Sequence, residues 1–184
     1  MKHANELFQL NGKVAIVTGG RGLYGASISA GLCEMGGTVI IASRNGEKCE
    51  EYAAELRSQG YSAKGLPLDL NDDVSIRVLE ETVIREYGKI DILVNNAVDR
   101  RNLRPLEKAT REALQASAST NLNGQILLSQ AVLRHMVQAK SGSIINISSM
   151  RGLDCPHFPF YPESMENEVN YTTEKWALVG LTKY

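Results

Sequence analysis

The sequence predicts an α/β fold, a doubly wound parallel sheet with helices on both faces. Three observations carry this. Short runs rich in valine and isoleucine alternate with longer amphipathic stretches from one end of the chain to the other. The apolar runs are continuous rather than alternating, as strands covered on both faces require. A glycine-rich turn joins the first run to the first amphipathic stretch.

Taken in order, "KVAIVTG" (13–19), "TVIIASR" (38–44), "DILVNNA" (91–97) and "SIINISS" (143–149) read as buried strands. "YSAKGLPLDL" (61–70) has the weaker strand pattern, diluted by lysine, glycine and proline. Between the runs, "YGASISAGLCEMG", "GEKCEEYAAELRSQG" and "DDVSIRVLEETVIREYG" carry helical periodicity. The second and third end at Gly60 and Gly88, where a left-handed cap would stop a helix. Residues from about 110 to 139 read as one longer helix, and 170–184 opens another. No repeat, low-complexity tract or linker divides residues 1–184, so they read as one domain.

Composition narrows the function. The 184 residues hold 20 Lys plus Arg against 21 Asp plus Glu, a net charge of −1. That balance gives no reason to expect nucleic acid or an anionic membrane as partner. The odd set Cys33, Cys49 and Cys155 fits reduced thiols rather than a disulfide framework. The opening residues lack a signal-peptide core, and no apolar run reaches about 18 residues, so a cytoplasmic protein is expected. His3, His135 and His157 are scattered and accompany no Cys or carboxylate at ligand spacing, so no metal site is expected. No G-x-S-x-G elbow is present to suggest a hydrolase.

The turn "TGGRGLYG" (18–25) points to a ligand. Gly20, Gly22 and Gly25 fit G-x-G-x-x-G, while Thr18, Gly19, Gly22 and Gly25 fit T-G-x-x-G-x-x-G. A pyrophosphate must approach backbone N–H groups at a helix start without Cβ obstruction, which calls for glycine between a strand and a helix. The end of the second strand sets which dinucleotide fits. An acidic residue there would grip the ribose hydroxyls. Ser43 and Arg44 stand in its place, with Arg21 as a second positive charge, and this favours NADP(H) over NAD(H).

Tyr171 and Lys175 lie four apart and share one helix face. A phenol is a poor proton donor or acceptor near neutrality, and a nearby ammonium favours its ionised form. With these residues in view, the chain from Lys13 to Tyr184 resembles the small single-domain branch of the short-chain dehydrogenase/reductase family. The resemblance rests on five ordered motifs: "LDL" (68–70), "NNA" (95–97), "TNLNG" (120–124), "NISSM" (146–150) and "YTTEK" (171–175). It implies a Rossmann-type domain whose catalytic residues are Asn121, Ser149, Tyr171 and Lys175. Ser149 would hydrogen-bond the substrate oxygen, and Asn121 would hold a water that relays protons through Lys175. The implied cofactor contacts are Gly19, Arg21, Gly22, Leu23, Tyr24 and Gly25 in the turn, then Ser43 and Arg44. Asp69 and Leu70, Asn96 and Ala97, and Tyr171 and Lys175 complete that set. The implied activity is hydride transfer between NADP(H) and an alcohol or ketone.

The sequence also departs from the family pattern. Val98 stands where a glycine is usual, and the middle glycine of the turn falls one position before Leu23, where small relatives place it. That spacing resembles nucleotide-sugar epimerases and dehydratases, which form an alternative reading. A dinucleotide-binding or assembly module without turnover is another. The stretch 151–170 holds three prolines, three aromatics and four acids. It is expected to lie across the site's mouth, and it resembles insertions in relatives acting on sugars or sugar derivatives. Leu122, Ile126, Leu127, Val132 and Leu133 place apolar residues around much of the 110–139 helix, so a homo-oligomer, at least a dimer, is expected. Relatives continue well past the helix of Tyr171, and the chain is expected to be the front part of a longer polypeptide.

Overall fold

The computed structural model describes residues 7–154, 159 and 167–184. Five parallel strands form one sheet: β1 (Val14–Thr18), β2 (Thr38–Ser43), β3 (Ser62–Pro67), β4 (Ile92–Asn95) and β5 (Ser143–Asn146), in the order β3-β2-β1-β4-β5. The helices are α1 (Leu23–Glu34), α2 (Gly46–Ser58), α3 (Asp73–Tyr87), α4 (Arg111–Ala118), α5 (Gly124–Ala139) and α6 (Val169–Lys183). None of the described helices is long and apolar enough to cross a membrane.

Successive side chains of a strand face opposite sides of its sheet, so a strand covered on both faces must be apolar throughout. Val14 and Ile16 of β1 point to one side, where Ile40 and Leu93 join Leu79 and Val83 of α3 and Leu128 and Val132 of α5. Ala15 and Val17 point to the other, with Val39 and Ile41, beneath Cys33 of α1 and Ala53 and Leu56 of α2. The weakly patterned third run is a true strand, paired residue for residue with β2 from Thr38–Ser62 to Ser43–Pro67.

Helix ends follow the expected chemistry. Asn45, Asp72 and Thr110 cap α2, α3 and α4 by accepting backbone N–H groups, and Gly60 and Gly88 take the left-handed conformation after α2 and α3. Two expectations are corrected. The strands read as 91–97 and 143–149 end at Asn95 and Asn146. Asn96 leaves the ladder because its N–H turns to Thr18 Oγ1 at 3.0 Å, and the pairing with β5 closes on Ile147 N–H donating to Asn95 O at 2.9 Å. The single helix read over 110–139 is two helices joined by a wide π turn, Ser119–Asn123, where Gly124 N–H bonds back to Ser119 O. The segment 151–170, with Cys155 and His157, lies largely outside the described residues, as does His3.

Candidate active site

The glycine turn lies where the chain order reverses, between β1's two neighbours β2 and β4. In open α/β sheets ligands bind at such switch points, outside the carboxyl ends of the strands. Gly19 has φ +63°, and its N–H donates to Ala42 O at 2.7 Å. Thr18 Oγ1 accepts from the N–H groups of Asn96 and Ala97, both at 3.0 Å, and Asn96 Nδ2 donates to Thr18 O at 2.9 Å. These bonds tie the turn to the end of β4. A Cβ on Gly25 would sit 2.1 Å from Gly19 O, so the turn closes only around glycine. Unlike the helices capped by side chains, α1 opens on Gly22 with no side-chain cap. Its first N–H groups are left for an anion. Gly19, Arg21, Gly22, Leu23, Tyr24, Gly25, Asn96 and Ala97 line a groove of about 730 Å³ that continues to Ser43 and Arg44.

Beyond the end of β2, Asp69 and Leu70 line a smaller recess of about 130 Å³ with Ala42, Leu68 and Val98. Ser43 Oγ lies 2.9 Å from Cys49 Sγ, and Arg44 Nη1 pairs with Asp99 Oδ2 at 3.4 Å. Arg101 holds the same carboxylate, with Nε 3.0 Å from each oxygen. Hydrogen bonds from Arg101, ahead of every other influence, lower the Asp99 carboxyl to about 2. Asp99 was not among the residues expected from sequence. The run "DRR" after "NNAV" was the available signal, but nothing local tied it to Arg44, 55 residues away.

Tyr171 and Lys175 stand at the start of α6, which is stitched to the loop after β4. Asn170 Oδ1 accepts Arg104 N–H at 3.0 Å, and its Nδ2 donates to Asn102 O at 2.9 Å. Lys175 is 5 % exposed, its Nζ 5.7 Å from the Tyr171 ring centroid and donating to Ile147 O at 2.6 Å. Arg100 and Arg151 flank the same ring at 5.5 and 5.9 Å. Burial, aided by Arg100, pulls the Lys175 ammonium below the ordinary lysine range, while Glu174 opposes the shift. Ser149 begins a short 3₁₀ turn after β5, and its Oγ accepts Arg151 N–H at 3.3 Å. The neighbouring Ser148 hydroxyl donates to Lys175 O at 2.9 Å, which fastens this turn to α6.

Asn121 sits in the wide turn, 2 % exposed. Its Oδ1 accepts Asp99 N–H at 2.7 Å, and its Nδ2 donates to Asp99 O at 3.0 Å and to Glu174 Oε2 at 2.9 Å. The side chain is thus used up by protein partners. A water at this position would have to be held by other groups of the turn. Glu174, buried and bonded to Ser117 as well, is a second residue that sequence reading missed.

The profile described as short chain dehydrogenase matches residues 13–184. The chain belongs to the short-chain dehydrogenase family. Among its relatives, the D-threitol dehydrogenase of Mycolicibacterium smegmatis is 32% identical and aligns with 100% of this chain and 68% of its own length. A gluconate 5-dehydrogenase from Burkholderia cenocepacia, solved with NADP and tartrate, has 34% identity and TM-score 0.84, covering 98% of this chain and 67% of that one. An NAD+-bound xylitol dehydrogenase gives 29% and TM-score 0.82, over 94% and 63%. This short-chain dehydrogenase chain therefore spans about two thirds of the length of the relatives it matches.

Proposed function

We propose that the protein is an oxidoreductase that moves hydride between a nicotinamide dinucleotide, preferentially NADP(H), and the alcohol or ketone group of a polyol or sugar derivative. The observation that carries this reading is the convergence of a cofactor cradle and a proton-handling pair on one end of the sheet. The fit to the cofactor rests on the cradle itself: a bare, uncapped helix start, and a turn so tight that a Cβ on Gly25 would meet Gly19 O at 2.1 Å. Gly19, Gly22 and Gly25 would face the pyrophosphate, Asp69 and Leu70 the adenine, and Ser43, Arg44 and Arg21 a 2′-phosphate. The dinucleotide supplies the hydride acceptor or donor when bound.

Around it, the chain's own groups handle the proton and orient the substrate. In alcohol oxidation the Tyr171 oxygen takes the hydroxyl proton, and in ketone reduction it returns it. The buried Lys175 ammonium stands beside that ring, its Nζ 5.7 Å from the centroid. Ser149 donates a hydrogen bond to the substrate oxygen. The NADP(H) preference draws on Arg44 and Arg21 in the groove. The polyol reading draws on relatives named for threitol, gluconate and xylitol.

The test is a panel of D-threitol, xylitol and D-gluconate with NADP+ and NAD+, followed by reduced-cofactor absorbance. Tyr171→Phe is expected to cut turnover by a factor of about 10² or more while cofactor binding persists. Near-normal turnover of that variant would remove Tyr171 from the chemistry.

A further inference from the structure

Three of the arginines near Tyr171 are already engaged. Arg101 holds the Asp99 carboxylate, its Nε 3.0 Å from each oxygen. Arg104 Nη1 donates to the backbone oxygens of Arg101 and Leu103, at 3.1 and 2.7 Å. Arg151 Nη1 pairs with Glu168 Oε2 at 2.9 Å, and its Nη2 donates to Asn167 Oδ1 at 3.0 Å. Arg100 differs from all of them. It is exposed, it lines the cofactor groove, and no carboxylate pairs with it among the described residues. What it meets is the Tyr171 ring, with Cζ 5.5 Å from the centroid. A ring face attracts a cation but leaves its charge unmatched and its five N–H donors free.

We propose that Arg100 is a substrate-binding residue and that the substrate is an acidic sugar derivative, a polyhydroxy carboxylate whose carboxylate pairs with this guanidinium. This rests on the functional reading given above and narrows it from polyols and sugar derivatives at large to their acids. The neighbouring carboxylates support it, because each is committed elsewhere. Asp99 is shared by Arg101 and Arg44, Glu168 is bound to Arg151, and Glu174 accepts from Ser117 and Asn121. The chain therefore leaves one positive charge open beside the residue assigned to the proton.

The chemistry of the guanidinium selects among anions. Its planar fork matches the two oxygens of a carboxylate, one charge against one. A phosphate ester carries nearly two negative charges, and Arg151, the other arginine on this ring, is held by Glu168. The cofactor's own phosphates are assigned to the uncapped start of α1, Arg21 and Arg44. Arg100 instead stands against the ring whose hydroxyl would hold the reacting oxygen. A carboxylate on one and a hydroxyl on the other are then a few carbons apart, as in an open-chain sugar acid.

The experiment compares D-gluconate with D-glucitol, its uncharged counterpart of equal length, on the native protein loaded with NADPH. An alcohol cannot pass hydride to a reduced cofactor, so the cofactor's fluorescence reads binding without turnover. D-gluconate is expected to bind about tenfold or more tightly than D-glucitol, the scale of a charge-assisted contact. Arg100→Gln should erase that preference by weakening D-gluconate, with D-glucitol and NADPH changed less than about twofold. Arg100→Lys, which keeps the charge and loses the fork, should retain part of it. Equal affinity for the two ligands in the parent, or a preference that survives Arg100→Gln, overturns the proposal. So does a loss confined to NADPH, which would give the guanidinium to the cofactor's phosphates. D-glucitol 6-phosphate binding more tightly than D-gluconate would overturn the carboxylate assignment. Turnover of Tyr171→Phe separates the two readings. If that variant is inactive and the preference is absent, this proposal alone fails; if it turns over normally while the preference holds, the assignment of Tyr171 alone fails.

Discussion

At the scale of single residues, the proposed preference for NADP(H) turns on the balance of charge around Arg44. The guanidinium is about half exposed, with a side-chain exposure of 51%, and is drawn toward a carboxylate that Arg101 also holds. On the proposed reading Asp99 competes with an incoming 2′-phosphate for Arg44, and it does not depend on Arg44 for its own neutralisation because Arg101 holds it as well. This makes Arg44→Ala a clean variant, since the buried carboxylate keeps Arg101 and the fold loses little. NADPH is expected to bind roughly ten- to a hundredfold more weakly, as for the loss of a charge-assisted contact, with a much smaller change for NADH. Fluorescence titration of both cofactors measures it, and equal losses would make Arg44 a bystander. The residues that govern this balance differ in how readable they were. Arg44 could be placed from its position at the end of a strand. Asp99 could not, because its pairing follows from which strand ends become neighbours, a property of the whole sheet order. Glu174 was hidden for the same reason: Ser117, its partner, lies 57 residues earlier.

At the scale of elements, α1 holds two glycines that should respond in opposite ways to one methyl group. A Cβ at Gly25 meets the Gly19 carbonyl oxygen at 2.1 Å, a backbone atom that has no side-chain freedom to yield. A Cβ at Gly31 meets nothing within 4 Å. Gly25→Ala is therefore expected to destabilise by about 1–3 kcal/mol, the cost of overpacking, and to weaken dinucleotide binding. Gly31→Ala is expected to stabilise by about 0.5–1 kcal/mol, because alanine restricts the unfolded chain and suits a helix interior. For a domain of this size each kcal/mol corresponds to about 2–4 °C in melting temperature, so thermal unfolding with and without NADP+ resolves the two. A Gly25→Ala variant as stable as the parent would mean the turn is looser than drawn. The elements themselves were largely legible, since periodicity, caps and the glycine turn are local signals. What escaped was the break inside the stretch 110–139. Its sequence keeps helical periodicity through "TNLNG", while the widening is imposed by contacts from elsewhere: Asn121 gripping the Asp99 backbone, and Gly124 pressed against Leu70 O, which an added Cβ would approach to 2.2 Å.

At the scale of the whole molecule, the sheet has two edges, β3 and β5, and they are covered unequally. Strand β3 lies against α2, where the Glu50 carboxylate accepts Gly65 N–H at 2.7 Å. On the β5 side apolar groups are open to solvent: Ile145 of β5 at 43%, Leu133 and Val137 of α5 at 48% and 65%, and Trp176 of α6 at 48%. Exposed apolar side chains beside a sheet edge suit an interaction face in a protein of otherwise balanced charge. Helix α5 explains how one sequence serves two surfaces. Leu128, Val132 and Met136 pack into the core at helical spacing, and Ile126, Leu133 and Val137 occupy the opposite side. Self-association through this second side is expected, giving at least a dimer at micromolar concentration by light scattering. Val137→Glu places a charge on the exposed side of α5, where substitutions rarely disturb folding by more than about 0.5 kcal/mol. It should shift the population toward monomer without lowering the melting temperature of the monomer itself. A parent protein that scatters as a monomer at that concentration would show that this face serves something other than a second copy of the chain.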